Sequence, residues 1–308
     1  MNYDWLTVGI AATSSALMAV AVNPSPFFAV LQLSLTSLPI FLVGLTYGSF
    51  LGITTAVSAF VALVLSLGAE SAVYHAILTG VPTALMIWQA ERSSSHPMVL
   101  LFTLIAYACG MIALAAVYLS DNPQGMQGVI ANELQQVYEK ILLYANKAGK
   151  LPVTTNELHD MLSSLASLLP AFAAYGWVMA TIVSAILAQF ALRRFGKSSF
   201  STPDIADLRS PRWITFVLLV VLAFAYLPYG VGFAAKNMVL VVLMIFLFTG
   251  LGVIHAFARS STNGRFWLGS TYALLIIFNW VVAAMIVLIG ALDVIFDFRR
   301  YTRSPTRE

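Results

Sequence analysis

"SFLGITTAVSAFVALVLSLGAE", residues 49–70, runs through 21 uncharged residues before its first carboxylate, Glu70. It closes a 65-residue stretch, Trp5 to Ala69, that holds no Asp, Glu, Lys or Arg. An isolated charge at mid-bilayer costs about 2.5–3.5 kcal/mol on insertion scales, and about 20 apolar residues cross the hydrocarbon core as a helix. The stretch therefore reads as three membrane helices, at roughly 5–22, 28–46 and 49–69, broken at "NPSP" (Asn23–Pro26) and "YGS" (Tyr47–Ser49). Cutting the rest of the chain at its charges gives further runs at 71–90, 93–120, 161–192, 213–235, 237–258 and 266–292. The expected fold is an all-α polytopic membrane protein with about nine transmembrane helices, eight to ten in all.

Composition agrees. Hydrophobic residues make up 60% of the chain and charged residues 9%, against roughly a quarter charged in soluble domains, and mean hydropathy is +0.87. The net charge of +3 does not point to nucleic acid. The basic residues sit in short clusters between apolar spans, where they orient helices in a bilayer. The single cysteine, Cys109, excludes an internal disulfide framework. "AVA" at Ala19–Ala21 resembles a signal-peptide cleavage site, but "MNYDW" before it lacks the positive segment of a signal peptide, so the first span is expected to stay.

Lys and Arg in short loops set the sidedness. "RRFGKSSFSTPDIADLRSPR" (193–212) is the densest basic loop and is assigned to the cytoplasm, which places the N-terminus and Arg92 inside and the segment at about 120–168 outside. The expected organisation is a six-helix bundle over 1–195 carrying that extracytoplasmic insertion, a basic loop at 196–212, C-terminal membrane helices over 213–300 and a polar tail at 301–308. One pass through 266–292 puts Arg299, Arg300, Arg303 and Arg307 outside, against the same rule. A break at Asn279 and Gly290 into two half-length passes would return the tail to the cytoplasm. The single pass with the tail outside is the preferred expectation.

The insertion reads as a helical hairpin. Ile130, Leu134, Val137, Ile141 and Tyr144 form one stripe, Thr154 and Glu157 have capping-box spacing, and Pro170 is expected to break the second helix from the next span.

Catalytic constellations are missing from the sequence, so no enzyme and no cofactor is expected. His75, His96, His159 and His255 lack metal-ligand spacing, and "GVGFAA" (230–235) follows a membrane helix rather than a strand, so it is no dinucleotide fingerprint. What remains are polar groups in or near the spans, which default to functional hypotheses because they are costly there. Glu70, Tyr74, His75 and Thr79 form two adjacent polar strips on the fourth span. With Tyr118, Tyr175 and Trp177 they make a candidate pocket for an unknown small molecule in the outer half; interfacial anchoring is the alternative reading. Ala11, Ser15 and Ala19, four residues apart, form a small-residue ladder that would admit a second helix, from this chain or from a partner subunit. Asp293, Asp297 and Arg300 share one face, as in a helix emerging through the interface with its carboxylates near water and Arg300.

"SPRWITFVLLVVLAF" (210–224), "AAKNMVLVVLMIFLFTGLGVIHAFAR" (234–259) and "LIGALDVIFDFRR" (288–300) resemble the YybS-like family, bacterial membrane proteins of unknown function. That family is in turn similar to the substrate-binding subunits of energy-coupling-factor transporters, six-helix proteins with both ends in the cytoplasm that bind vitamins or metals from outside. The resemblance implies a solute-binding or uptake protein of the bacterial cytoplasmic membrane whose first helix docks on a partner. The insertion and the three C-terminal spans depart from the six-helix pattern. A non-transporting envelope scaffold is the second expectation.

Overall fold

The computed structural model describes residues 5–20, 26–92, 97–147, 155–197 and 204–302. Most of the "NPSP" break, the capping Thr154, His96 and the tail from Arg303 lie outside the described residues. Ten helices and no strand occur among those described: α1 Trp5–Val20, α2 Pro26–Tyr47, α3 Ser49–Leu67, α4 Ala69–Arg92, α5 Pro97–Tyr118, α6 Gly125–Lys147, α7 Thr155–Arg194, α8 Trp213–Phe224, α9 Tyr229–Ser260 and α10 Gly264–Phe296. Six of them are long and apolar enough to cross a membrane, and α1, the Ser34–Tyr47 part of α2 and α8 are shorter apolar helices. The protein is all-α and polytopic.

Its outer surface is apolar, unlike that of a soluble bundle. Leu65, Val117, Ile276 and Trp280 are largely exposed, which water would penalise and acyl chains do not. Buried among Ile40, Phe41, Ile87, Leu104, Val178 and Phe246 are Ser15, Ser37, Thr55, Thr79, Thr83, Thr181 and Ser184. Such small residues let helices approach, and Ser15, Ser37, Thr55 and Thr181 hand their hydrogens to backbone carbonyls.

Three expectations need correction. The first is Pro170, which does not break the chain: α7 runs through it for 40 residues. Proline lacks the N–H of the helical ladder and its ring crowds the carbonyl four residues back. Asn237 of α9, fully buried, repairs the damage. Its Oδ1 accepts from the Ala171 N–H at 3.0 Å and its Nδ2 donates to the Ser167 carbonyl at 3.1 Å, so one amide replaces the backbone bond that the kink opens.

The second concerns 213–235, which is not one span. α8 stops at Phe224, and Pro228, extended at φ −69° and ψ 164°, caps the start of α9. The residue before a proline avoids helical conformation, which fixes the break at Leu227–Pro228. Lys236, expected in a loop, therefore lies within α9. At 12 residues α8 is about 18 Å long, short of the roughly 30 Å core.

The third concerns the last helix. Trp267 near its start and Phe298 just past its end line one cleft of about 710 Å³ with Ser260, Ser261 and Phe257. Thirty-one residues of straight helix would hold these two about 46 Å apart. The chain turns at Asn279, whose φ of 36° and ψ of −102° are not helical. α10 is thus two half-length pieces that begin and end at the same end of α9. Gly290 does not break it; a Cβ there would run into the Phe246 carbonyl, so this glycine allows α9 and α10 to touch backbone to backbone.

The Asn237 repair gives a test. Asn237→Leu leaves the Ala171 N–H and the Ser167 carbonyl without a partner, at about 1–3 kcal/mol each. Thermal unfolding in nanodiscs should show a clear loss with Pro170 in place and a smaller one in the Pro170→Ala background. Equal losses in both backgrounds would contradict the account.

Candidate functional site

One turn of α4 gathers polar groups from four other helices. His75, 5% exposed, sits beside Ser15 of α1, its Nε2 at 3.0 Å from Ser15 Oγ. Ser15 Oγ donates its one hydrogen to the Thr36 carbonyl of α2 at 2.8 Å. The hydroxyl must then accept from His75, which places the ring hydrogen on Nε2 and leaves Nδ1 as a bare acceptor. Among the described residues no protein group donates to that nitrogen.

After His75 the helix widens into a π-turn, Ala76–Gly80. Such turns cluster at functional sites and release carbonyls from the regular ladder. Here two aromatic side chains take them. Tyr107 of α5 donates its hydroxyl to the Ile77 carbonyl at 2.8 Å, and Trp177 of α7 donates Nε1 to the Leu78 carbonyl at 2.7 Å. Their rings stack at 5.6 Å. The widened turn is held from both sides.

The sequence-derived pocket residues divide. His75, Thr79 and Trp177 are buried on or against this turn, and Tyr175 is half-buried. Glu70, Tyr74 and Tyr118 stay on the outer surface, Tyr118 at 82% exposure. The small-residue ladder is occupied within the chain. Ala11 packs with Val43 and Leu51, Ser15 is bound as above, and Ala19 packs with Leu63 and Ala72. A helix buried on that side offers a partner only its other face, where Trp5, Leu6, Gly9, Ile10, Thr13 and Ser14 surround an open cleft of about 440 Å³.

A second polar centre lies at the far end of the chain. Arg299, 1% exposed, pairs through Nε with Asp293 at 3.2 Å. Its Nη1 donates to the Ala206 carbonyl at 2.8 Å, and its Nη2 to the carbonyls of Leu208 and Thr249 at 2.7 Å each. Burial pulls this guanidinium below the ordinary arginine value, and the Asp293 carboxylate opposes the shift. The expected stripe of Asp293, Asp297 and Arg300 assumed a helix that continues. It ends at Asp297, left-handed at φ 47° and ψ 61°, so Arg299 rather than Arg300 turns inward and Asp293 is buried instead of facing water. Asp297 stays half-exposed at 3.3 Å from Arg209. These contacts set the start of the tail against the basic loop, two segments that the single-pass expectation kept apart.

Sequence reading named Ser15 and His75 in separate roles and missed Tyr107, Asn237 and Arg299. Tyr107 is a lone polar residue in an apolar run, whereas Asn237 follows Lys236 and Arg299 precedes Arg300, and nothing local singles out either from its neighbour.

A family model described as "Predicted membrane protein (DUF2232)" matches residues 12–294. No curated protein and no solved structure matches the chain.

Breaking a buried ion pair from one side costs about 3–5 kcal/mol, while replacing both partners by apolar groups costs much less. Arg299→Met should therefore lower the unfolding temperature strongly, and Arg299→Met with Asp293→Leu should recover part of the loss. Arg299→Lys should not rescue, because one ammonium cannot fork to three carbonyls. No destabilisation by Arg299→Met would refute the burial of this residue.

Proposed function

We propose, from the premise that this chain belongs to the DUF2232 family of predicted membrane proteins, that it is an integral membrane solute-binding or uptake protein whose recognising group is His75. One observation carries the reading: an imidazole acceptor, buried inside a membrane bundle, has no protein partner among the described residues and adjoins a turn held open by two aromatic donors. An unsatisfied buried acceptor costs about 1–3 kcal/mol, and polar groups retained in a bilayer against such a cost mark binding sites.

The resemblance to the YybS-like family and to energy-coupling-factor binding subunits supports the same reading. It supports in turn a bacterial cytoplasmic membrane with the N-terminus inside, non-enzymatic action and no cofactor. A coupling subunit, in this proposal, meets the outward face of α1 at Trp5, Leu6 and Ile10 rather than the ladder of Ala11, Ser15 and Ala19. The competing reading, a non-transporting scaffold, draws on two open clefts that border α1 and the α9–α10 end instead of His75.

Native mass spectrometry separates the two. The purified protein should carry a small molecule that His75→Gln loses, since glutamine can keep the Ser15 hydrogen bond but has no acceptor at the Nδ1 position. Unchanged thermal unfolding of the variant would show that the fold is intact. A species without bound small molecule in both proteins, or one retained by His75→Gln, would favour the scaffold.

A further inference from the structure

The cleft of about 710 Å³ between the end of α9 and the two pieces of α10 lies within the roughly 300–1,000 Å³ of small-molecule sites. Its long direction follows the helices. Ser260 and Ser261 stand at the mouth, where α9 ends, and Val253 lies two turns further in, about 10 Å along the helix. Thr271 and Ile289 line it at a similar depth from the two pieces of α10. The Thr271 hydroxyl donates to the Trp267 carbonyl at 2.9 Å. Beyond the mouth the walls are therefore mainly hydrocarbon, from Val253, Ile254, Phe257 and Ile289. Phe257 and Trp267 are exposed, and α10 is the least buried of the six long spans, so the cleft opens toward lipid. Tryptophan beside helix ends is the mark of headgroup depth.

Charge gathers at the same end. The segments 204–212, 253–271 and 289–300, which meet around the mouth, contain Arg209, Arg212, Arg259, Arg265, Arg299 and Arg300 against Asp204, Asp207, Asp293 and Asp297. Three of the four aspartates are held in ion pairs, with Arg209, Arg259 and Arg299. The balance is positive. Arg265 opens α10 two residues before Trp267, and Arg300 follows Phe298 by two residues; both are exposed. An apolar groove that faces lipid and ends among excess arginines suits a molecule with a hydrocarbon chain and a negative head. A polar solute would leave the walls unmatched, and a neutral lipid would leave the arginines so.

We propose that this cleft binds one anionic phospholipid of the surrounding bilayer, an acyl chain lying along Val253, Phe257 and Ile289 with the phosphate at the level of Ser261 and Arg265. The site is separate from His75 and stands whether or not that histidine binds a solute. Native mass spectrometry of the full chain in detergent, titrated with palmitoyl-oleoyl phosphatidylglycerol or the matching phosphatidylcholine, provides the test. The protein should hold one phosphatidylglycerol more tightly than any further one, and phosphatidylcholine only weakly. Thr271→Trp, which fills the cleft from one wall, should abolish the tight adduct. Arg265→Gln should weaken it about fivefold without changing thermal unfolding. Because the Arg265 side chain is exposed, that variant decides the matter if Thr271→Trp disturbs the fold. Equal binding of the two lipids, no tight adduct at all, a tight adduct retained by a folded Thr271→Trp, or an affinity unmoved by Arg265→Gln would each overturn the proposal.

Discussion

In the hydrocarbon core a backbone or side-chain polar group freed from its ordinary partner has no water to turn to, and this governs the molecule more than any packing preference. The Ala171 N–H that the kink at Pro170 frees is taken by Asn237, 66 residues away in sequence. The carbonyls of the π-turn in α4 are taken by Tyr107 and Trp177. The loop carbonyls of Ala206 and Leu208 and the helical carbonyl of Thr249 converge on Arg299. Each repair ties elements that are distant along the chain, so the polar bonds, rather than the apolar contacts, fix which helix lies beside which. Leu and Val pack almost as well against lipid as against each other, and a carbonyl does not.

This division explains what could be read in advance. The all-α membrane class and most of the apolar helices were legible because charge-free runs are local properties. The continuity of α7 was not, because the residue that rescues Pro170 sits on another helix. The break at Pro228 carried a local signal, the proline itself, which the charge-based cuts passed over in favour of Lys236. The buried Arg299 was misjudged by one residue because helical spacing was extrapolated through Asp297, where the backbone is left-handed. For the proposed site, the sequence supplied His75, Thr79 and Trp177 but assembled them with surface residues. No spacing rule links Ser15 to a histidine 60 residues later.

His75 is one of several buried groups left partly unsatisfied, with the Thr83 and Ser184 hydroxyls among the others. Its Nε2 is bound and its Nδ1 is not, in a region where three neighbouring helices carry no charge. The two ends of the chain thus use buried polarity differently. Arg299 is held by Asp293 and three carbonyls and ties the start of the tail, the basic loop and α9 together. The histidine keeps one nitrogen without a protein donor among the described residues.

The central claim, that internal polar bonds fold the apolar C-terminal stretch back on itself instead of letting it cross once, is tested most directly by a distance. In a chain with Cys109→Ala, spin labels at Trp267→Cys and Phe298→Cys, measured by double electron–electron resonance in nanodiscs, report on the turn at Asn279. The account predicts a separation of one to two helix diameters, about 10–24 Å. A separation near 46 Å, the length of the uninterrupted helix, would contradict it.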